Sequence, residues 1–155
     1  MNQWDIKRHA KWIGGIYYMK ERISKLAPCG VFCGACPSYK KTCLGCASEN
    51  KDQKRTSKWG CKVRNCCYNN QNNNYCIECD NFPCEKINNK LIDTHPEDIN
   101  FKYRHEIPDI FVKMKEMDIE DYLEFQEERW RCPFCGGIIH FYKYKCSECG
   151  KKVIV

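Results

Sequence analysis

A chain of 155 residues with 26 basic and 20 acidic side chains has room for one domain, or for one small domain plus an appended module. Fifteen of its residues are cysteine, so the 43% apolar fraction overstates the hydrocarbon left for a core. Small folds with thin cores use disulfides or metal ions as staples. No uninterrupted run of about 18 apolar residues is present, which excludes a membrane-spanning helix, and an odd cysteine count excludes complete disulfide pairing within one chain.

The opening MNQWDIKRHAKW lacks the apolar stretch and small-residue cleavage site of a secretory signal, so the expected compartment is the cytoplasm. Disulfides do not persist there, and clustered C-x2-C pairs read as metal ligands. Residues 1–28 mix Trp4, Trp12, Ile13, Ile16, Tyr17, Ile23 and Leu26 with basic side chains, with Gly14-Gly15 dividing two short apolar faces. We read them as a packing segment rather than an aromatic-basic surface for RNA.

The stretch Cys29–Cys84 holds eleven cysteines in 56 residues, with Val31, Leu44, Val63 and Ile77 as its only large aliphatic residues. Thiolate–metal bonds are the available way to tie it together. CGVFCGACP places Cys29, Cys33 and Cys36 in a C-x3-C-x2-C pattern, with Gly30 and Gly34 allowing the backbone to bend several thiolates toward one ion. The same spacing holds the [4Fe–4S] cluster of radical S-adenosylmethionine enzymes. The rest of the chain has none of the strand–helix alternation their barrel requires.

Cys43 and Cys46 form a CLGC knuckle, followed by a basic loop, Lys51–Lys58, read as solvated rather than phosphate-binding. Cys61, Cys66 and Cys67 follow in a segment able to form a short helix. Residues five apart sit some 140° from each other on a helix, so Cys61 and Cys66 pair only if the helix begins near or after Cys61. Asn69–Asn74 reads as an exposed polar loop. Cys76, Cys79 and Cys84 close the stretch, and Pro83 is a candidate helix start running through Ile87 and Leu91.

Residues 93–130 carry no cysteine and show helical periodicity. Pro108 opens one expected helix, with Ile110, Phe111, Met114 and Met117 on or near one face. Asp118 suits the N-cap of a second, with Asp121 at the capping-box position. Ile119, Tyr122, Leu123 and Trp130 form its apolar stripe, and Glu120, Glu124, Glu127 and Glu128 its solvated one.

The last segment, 131–155, reads as C-x2-C-x10-C-x2-C: Cys132, Cys135, Cys146 and Cys149, with glycine after each knuckle and β-prone Ile138–Tyr144 and Val153–Val155. This is a zinc-ribbon pattern, four thiolates for one tetrahedral Zn(II), with iron in a rubredoxin-like mode as the other occupant. His140 has no vacancy to fill in a four-cysteine site and reads as a strand residue.

The runs CGVFCGACPSY, CLGC, CKVRNCC, YCIECDNFPC and EERWRCPFCGG, in this order, resemble the cysteine-rich prokaryotic domain of unknown function, family 3795. The resemblance runs from about Cys29 to Cys149. It implies a metal-binding role for Cys29, Cys33, Cys36, Cys43, Cys46, Cys61, Cys66, Cys76, Cys79 and Cys84, with Cys67 dispensable. It implies no reaction and no substrate.

The expected architecture is therefore a small metal-stabilised α+β protein. It comprises a packing segment (1–28), an irregular cysteine-rich zinc-binding domain with short helices (29–92), a helical segment (93–130) and a β zinc ribbon (131–155). Two or three Zn(II) per chain are expected, with a [4Fe–4S] cluster in the cysteine-rich domain as the alternative. One arrangement sets Cys43 and Cys46 with Cys61 and Cys66, leaving Cys29, Cys33, Cys36, Cys76, Cys79 and Cys84 for a second site. The chain shows no Ser/His/Asp set, P-loop or GxGxxG, so a non-enzymatic structural or interaction module is expected, with an iron–sulfur or thiol-redox protein as the alternative. The +6 net charge points to an acidic partner. Three tetrathiolate Zn(II) centres would contribute about −6, so nucleic acid is weakly supported and a protein partner is expected.

Overall fold

A computed structural model describes residues 18–155. Trp4, Trp12, Ile13, Ile16 and Tyr17 of the expected packing segment lie outside the described residues, as does His9. Residues 18–23 are helical, and the chain then folds back on itself through a bridge between Leu26 and Phe32. Leu26 and Ala27 are fully buried.

Short helices dominate. Cys61 is the N-cap of a helix at Lys62–Asn65 that widens into a π-turn over Cys66–Asn70, closed by the Gln71 N–H donating to the Cys66 carbonyl at 2.9 Å. Cys84 is likewise the N-cap of Glu85–Ile87, which widens over Asn88–Ile92. The helix after Pro83 thus starts two residues later than expected, with a cysteine rather than the proline at its boundary. Asn69 and Asn70 of the Asn-rich bridge belong to the Cys66–Asn70 turn rather than to a loop.

The helix expected from Pro108 spans Ile107–Phe111 with the proline in its first turn, then tightens into a 3-10 turn at Val112–Lys115. That tightening changes the face. Ile107 and Phe111, one α-turn apart, are buried, whereas Met114 and Met117 only flank the core.

The longest helix wholly among the described residues, Ile119–Arg129, begins where Asp118 accepts the Asp121 N–H at 2.9 Å. An acidic first turn and Arg129 in the last complement its dipole. Tyr122 and Leu123 are fully buried, and Glu120, Glu124 and Glu128 are exposed. Glu127 departs from the solvated stripe: it receives Arg22 and Lys25, each at 3.1 Å, tying this helix to the N-terminal one.

The C-terminal segment forms a two-stranded antiparallel sheet, β1 (Ile139–His140) and β2 (Lys145–Cys146), with Ile139 opposite Cys146. The sheet is shorter than the β-prone sequence suggests: Val153–Val155 forms no strand, and a single bridge joins Lys152, just before it, to Lys145. The aromatic residues between the strands go to the core instead. Phe141 stacks on Tyr103 at 4.0 Å, and the buried Tyr144 hydroxyl accepts the Tyr103 N–H at 3.0 Å. Burying these rings yields more than extending a two-residue sheet into solvent.

Among the described residues the protein is thus a small cysteine-rich fold of short helices and one two-stranded sheet. Its core is aromatic and shared by its segments: Phe32 and Tyr75 come from the cysteine-rich stretch, Tyr103, Phe111 and Tyr122 from the helices, and Trp130, Phe141 and Tyr144 from the end of the chain. The Phe141 N–H donates to the Ala35 carbonyl at 3.1 Å, joining the C-terminal sheet to the first cysteine turn.

Candidate metal centre

Two tight turns build the C-terminal site. The Gly136 N–H donates to the Cys132 carbonyl at 2.9 Å, and the Gly150 N–H to the Cys146 carbonyl at 3.2 Å. Each turn requires a left-handed residue, and Gly136 and Gly150 supply it at φ of +76° and +71°. The turns aim N–H groups at the sulfurs: Gly137 to Cys135 and Glu148 to Cys146, both at 3.4 Å. All four sulfurs of Cys132, Cys135, Cys146 and Cys149 lie within 4.8 Å of one another, an arrangement able to hold a metal ion. Tetrahedral bonds of ~2.3 Å demand sulfur–sulfur edges of about 3.8 Å. The Cys132–Cys149 and Cys135–Cys146 edges are 3.7 and 3.4 Å, so the donor set fits. At Cys146, desolvation is outweighed by the N–H donors of Cys149 and Glu148 and by the Cys135 thiol, and its pKa falls to about 6. That sulfur is poised as a thiolate. His140, on β1, is not in the group.

The cysteines of 29–84 divide between two cavities. Cys29, Cys33, Cys36, Cys43, Cys46 and Cys61 line one of about 220 Å³. Cys66, Cys67, Cys76, Cys79 and Cys84 line a second of about 30 Å³. This does not follow the arrangement suggested by chain order, since Cys66 stands apart from Cys43, Cys46 and Cys61. Nor are Cys29, Cys33 and Cys36 on the same cavity as Cys76, Cys79 and Cys84. Among the described residues, neither cavity gathers three sulfurs as closely as the C-terminal site does.

Local structure explains which sulfurs turn inward. Cys33 and Cys76 each begin a 3-10 turn, and the Cys36 and Cys79 N–H groups donate back to them at 2.9 and 3.1 Å. Cys61 and Cys84 sit at helix starts. Cys67 is the residue that sequence reasoning set aside. It is 3% exposed, and its thiol donates to the Asn73 carbonyl at 3.4 Å. A signal was present: Val63, also 3% exposed, precedes Cys67 by four residues on one helical face, while Cys66 follows the exposed Lys62.

The larger cavity is electropositive. Arg55, Lys58, Arg64, Lys90 and Arg104 line it. Lys58 is not part of a solvated loop as its neighbours suggested: it is buried, donating to the Gly45 and Ser48 carbonyls at 2.7 and 2.8 Å. Arg64 donates to the Cys46 carbonyl at 2.8 Å. The Cys46 N–H donates to the Cys33 sulfur at 3.5 Å, and the neighbouring Cys33 side chain, against burial and helped by the charges of Lys58, Arg55 and Arg64, lowers the Cys46 pKa to about 6. Burial, then the neighbouring Cys46, pushes Cys29 up to about 12.

Residues 25–89 match a family model. Its description is "Protein of unknown function (DUF3795)". The match spans both cysteine cavities up to the helix after Cys84, and it ends before the helical segment and the C-terminal cysteines. It supports the resemblance read from the cysteine runs over that stretch and assigns no activity. No curated protein and no solved structure matches the chain. No helix among the described residues is long and apolar enough to cross a membrane.

Proposed function

We propose that this protein is a zinc-binding, non-enzymatic structural and interaction module, with Cys132, Cys135, Cys146 and Cys149 as a structural Zn(II) site. The observation that carries the reading is the approach of those four sulfurs to within 4.8 Å of one another. A site filled by four protein thiolates has no open position for substrate, whereas catalytic zinc keeps one. Further metal is assigned to Cys29, Cys33, Cys36, Cys43, Cys46, Cys61, Cys66, Cys76, Cys79 and Cys84, for two or three ions per chain. Binding of structural zinc supplies about 10–16 kcal/mol in small zinc-dependent folds, which suits a stretch this poor in aliphatic side chains. The working location is the cytoplasm and the partner a protein.

A second reading, an iron–sulfur or thiol-redox protein, is favoured by one feature. The 220 Å³ cavity with six cysteines and a cationic wall suits an anionic metal–sulfur centre larger than one ion. Anaerobic purification followed by elemental analysis decides between them. Stoichiometric zinc without iron supports the zinc reading; stoichiometric iron with labile sulfide and visible charge-transfer absorption replaces it.

A further inference from the structure

We propose that the segment Lys41–Lys62 is a docking face for single-stranded RNA, with Lys41, Lys51, Lys54 and Lys62 on the phosphates and Trp59 as the ring on which a base stacks. This partner is additional to the protein partner proposed above, and it does not depend on which metal the cysteines hold.

The charge of the chain is unevenly spread. Lys41–Arg64 contains seven basic and two acidic residues, a net +5 of the +6 total, which leaves 19 basic and 18 acidic residues for the rest. Arg55, Lys58 and Arg64 line the larger cysteine cavity, where thiolates offset them. Lys41, Lys51, Lys54 and Lys62 lie outside that lining, and all four are exposed. The offset that makes the overall charge uninformative therefore stops short of this face. Lys41, Lys51 and Lys54 line one open hollow of about 430 Å³, with Asp52 as the acidic residue on its wall. Glu49, the other acid of the segment, is tied to Arg64.

The loop is held in shape. The Arg55 N–H donates to the Thr42 carbonyl at 2.8 Å and the Leu44 N–H to the Gln53 side-chain oxygen at 2.9 Å, so its two limbs lie side by side. Buried Lys58 anchors its end on the Gly45 and Ser48 carbonyls. A loop fixed in this way presents its exposed lysines with little further ordering on binding.

Trp59 decides between partners. Its ring is half-buried, with Lys51 Nζ 3.9 Å, Lys58 Nζ 4.5 Å and the Arg64 guanidinium carbon 4.9 Å from the centroid. Lys58 and Arg64 are fixed by carbonyls, whereas exposed Lys51 can move from the ring to a phosphate. An acidic peptide would use the lysines and leave the ring idle. A single strand uses both, because its unstacked bases offer π faces to an aromatic ring. Thr42, Thr56 and Ser57, exposed among the lysines, suit the ribose 2′-hydroxyl.

The test is fluorescence anisotropy of a labelled oligouridine of about 12 nucleotides with the full chain as purified anaerobically. Binding should weaken with salt at a log–log slope of about −3, from four lysines at ~0.7 each. Lys51→Glu/Lys54→Glu should weaken it by about tenfold or more and flatten the slope by about 1.4. Lys113→Glu/Lys115→Glu, the same charge change on an exposed turn elsewhere, should cost less than about threefold. Trp59→Ala should cost about tenfold with the slope unchanged, and Trp59→Phe should restore most of that loss. Far-UV circular dichroism checks each fold, and the lysine variants, which alter only exposed side chains, carry the test if Trp59→Ala unfolds.

Absent or salt-independent binding would overturn the proposal. So would equal loss from the two lysine pairs, the mark of net charge alone, or equally tight binding of poly-glutamate or of duplex RNA of the same length. Metal content is read separately in the same samples, so failure of the RNA face leaves the zinc reading standing.

Discussion

The C-terminal site and the Cys29–Cys84 stretch use the same donor atom and assemble it in opposite ways. In the first, two turns of a few residues each deliver two sulfurs, and a two-residue sheet pairing brings the turns together. Chain geometry does nearly all the positioning. In the second, sulfurs up to 32 positions apart line one cavity, and their placement depends on the packing of the helix that starts at Cys61. A metal site made by local turns is legible as a motif. A site made by packing shares its stability with the core.

Metal removal probes this contrast most strongly. A high-affinity chelator under reducing conditions should collapse the thermal transition and change the far-UV circular dichroism, because structural zinc is worth about 10–16 kcal/mol in folds of this kind. An unchanged melting curve would sink the view that ions hold the cysteine-rich stretch together.

Phe141→Ala comes next. The ring is 3% exposed, stacks on Tyr103 and belongs to a residue bonded to Ala35, so its loss should cost about 3–5 kcal/mol in chemical denaturation. Because Phe141 lies between the strands yet also lines the larger cysteine cavity, the variant should weaken Co(II) binding by Cys29–Cys84 more than by the C-terminal cysteines. Equal weakening would erase the distinction between the two regions.

Gly30→Ala sets a smaller effect against a control. Gly30 has φ of +98° and its added Cβ would stand 2.6 Å from the Phe111 ring, for a cost of about 2–3 kcal/mol. Gly60→Ala meets nothing within 4 Å and should change stability by no more than about 0.5 kcal/mol. Matching denaturation midpoints for the two would refute the close packing of the cysteine turn on the Ile107–Phe111 helix.

Glu127→Gln should be the mildest, at about 1 kcal/mol. Burial tends to raise the Glu127 pKa, but hydrogen bonds from Arg22 and Lys25 outweigh it and hold the carboxyl below its ordinary 4.5. The folded form therefore binds fewer protons than the unfolded form. The stabilisation is present above about 4.5 and fades as pH falls through the lower folded value. Wild type and variant should differ at pH 7 and converge in acid; a difference that grows in acid would reverse the sign.

Several features were readable in advance because a short stretch of chain determines them. Asp118 caps a helix whose Tyr122 and Leu123 are buried, as their spacing indicates. Others gave way to tertiary packing. Glu127 looked solvated because nothing on its own helix reveals that Arg22 and Lys25 lie opposite. Lys58 looked like part of a solvated loop because its acceptors are backbone carbonyls 13 and 10 positions earlier. Phe141 and Tyr144 looked like strand residues because alternation shows a side chain's face, not the ring waiting across the core.

Composition and spacing alone made the chain cysteine-rich and indicated that Cys132, Cys135, Cys146 and Cys149 converge, since covalent reach within tight turns leaves few alternatives. Only the tertiary structure put Cys66 on a different cavity wall from Cys43, Cys46 and Cys61, and buried Cys67. The reason is physical: which thiols meet across many residues depends on how Val63, Phe111 and their neighbours pack, and no local period in the sequence encodes that packing.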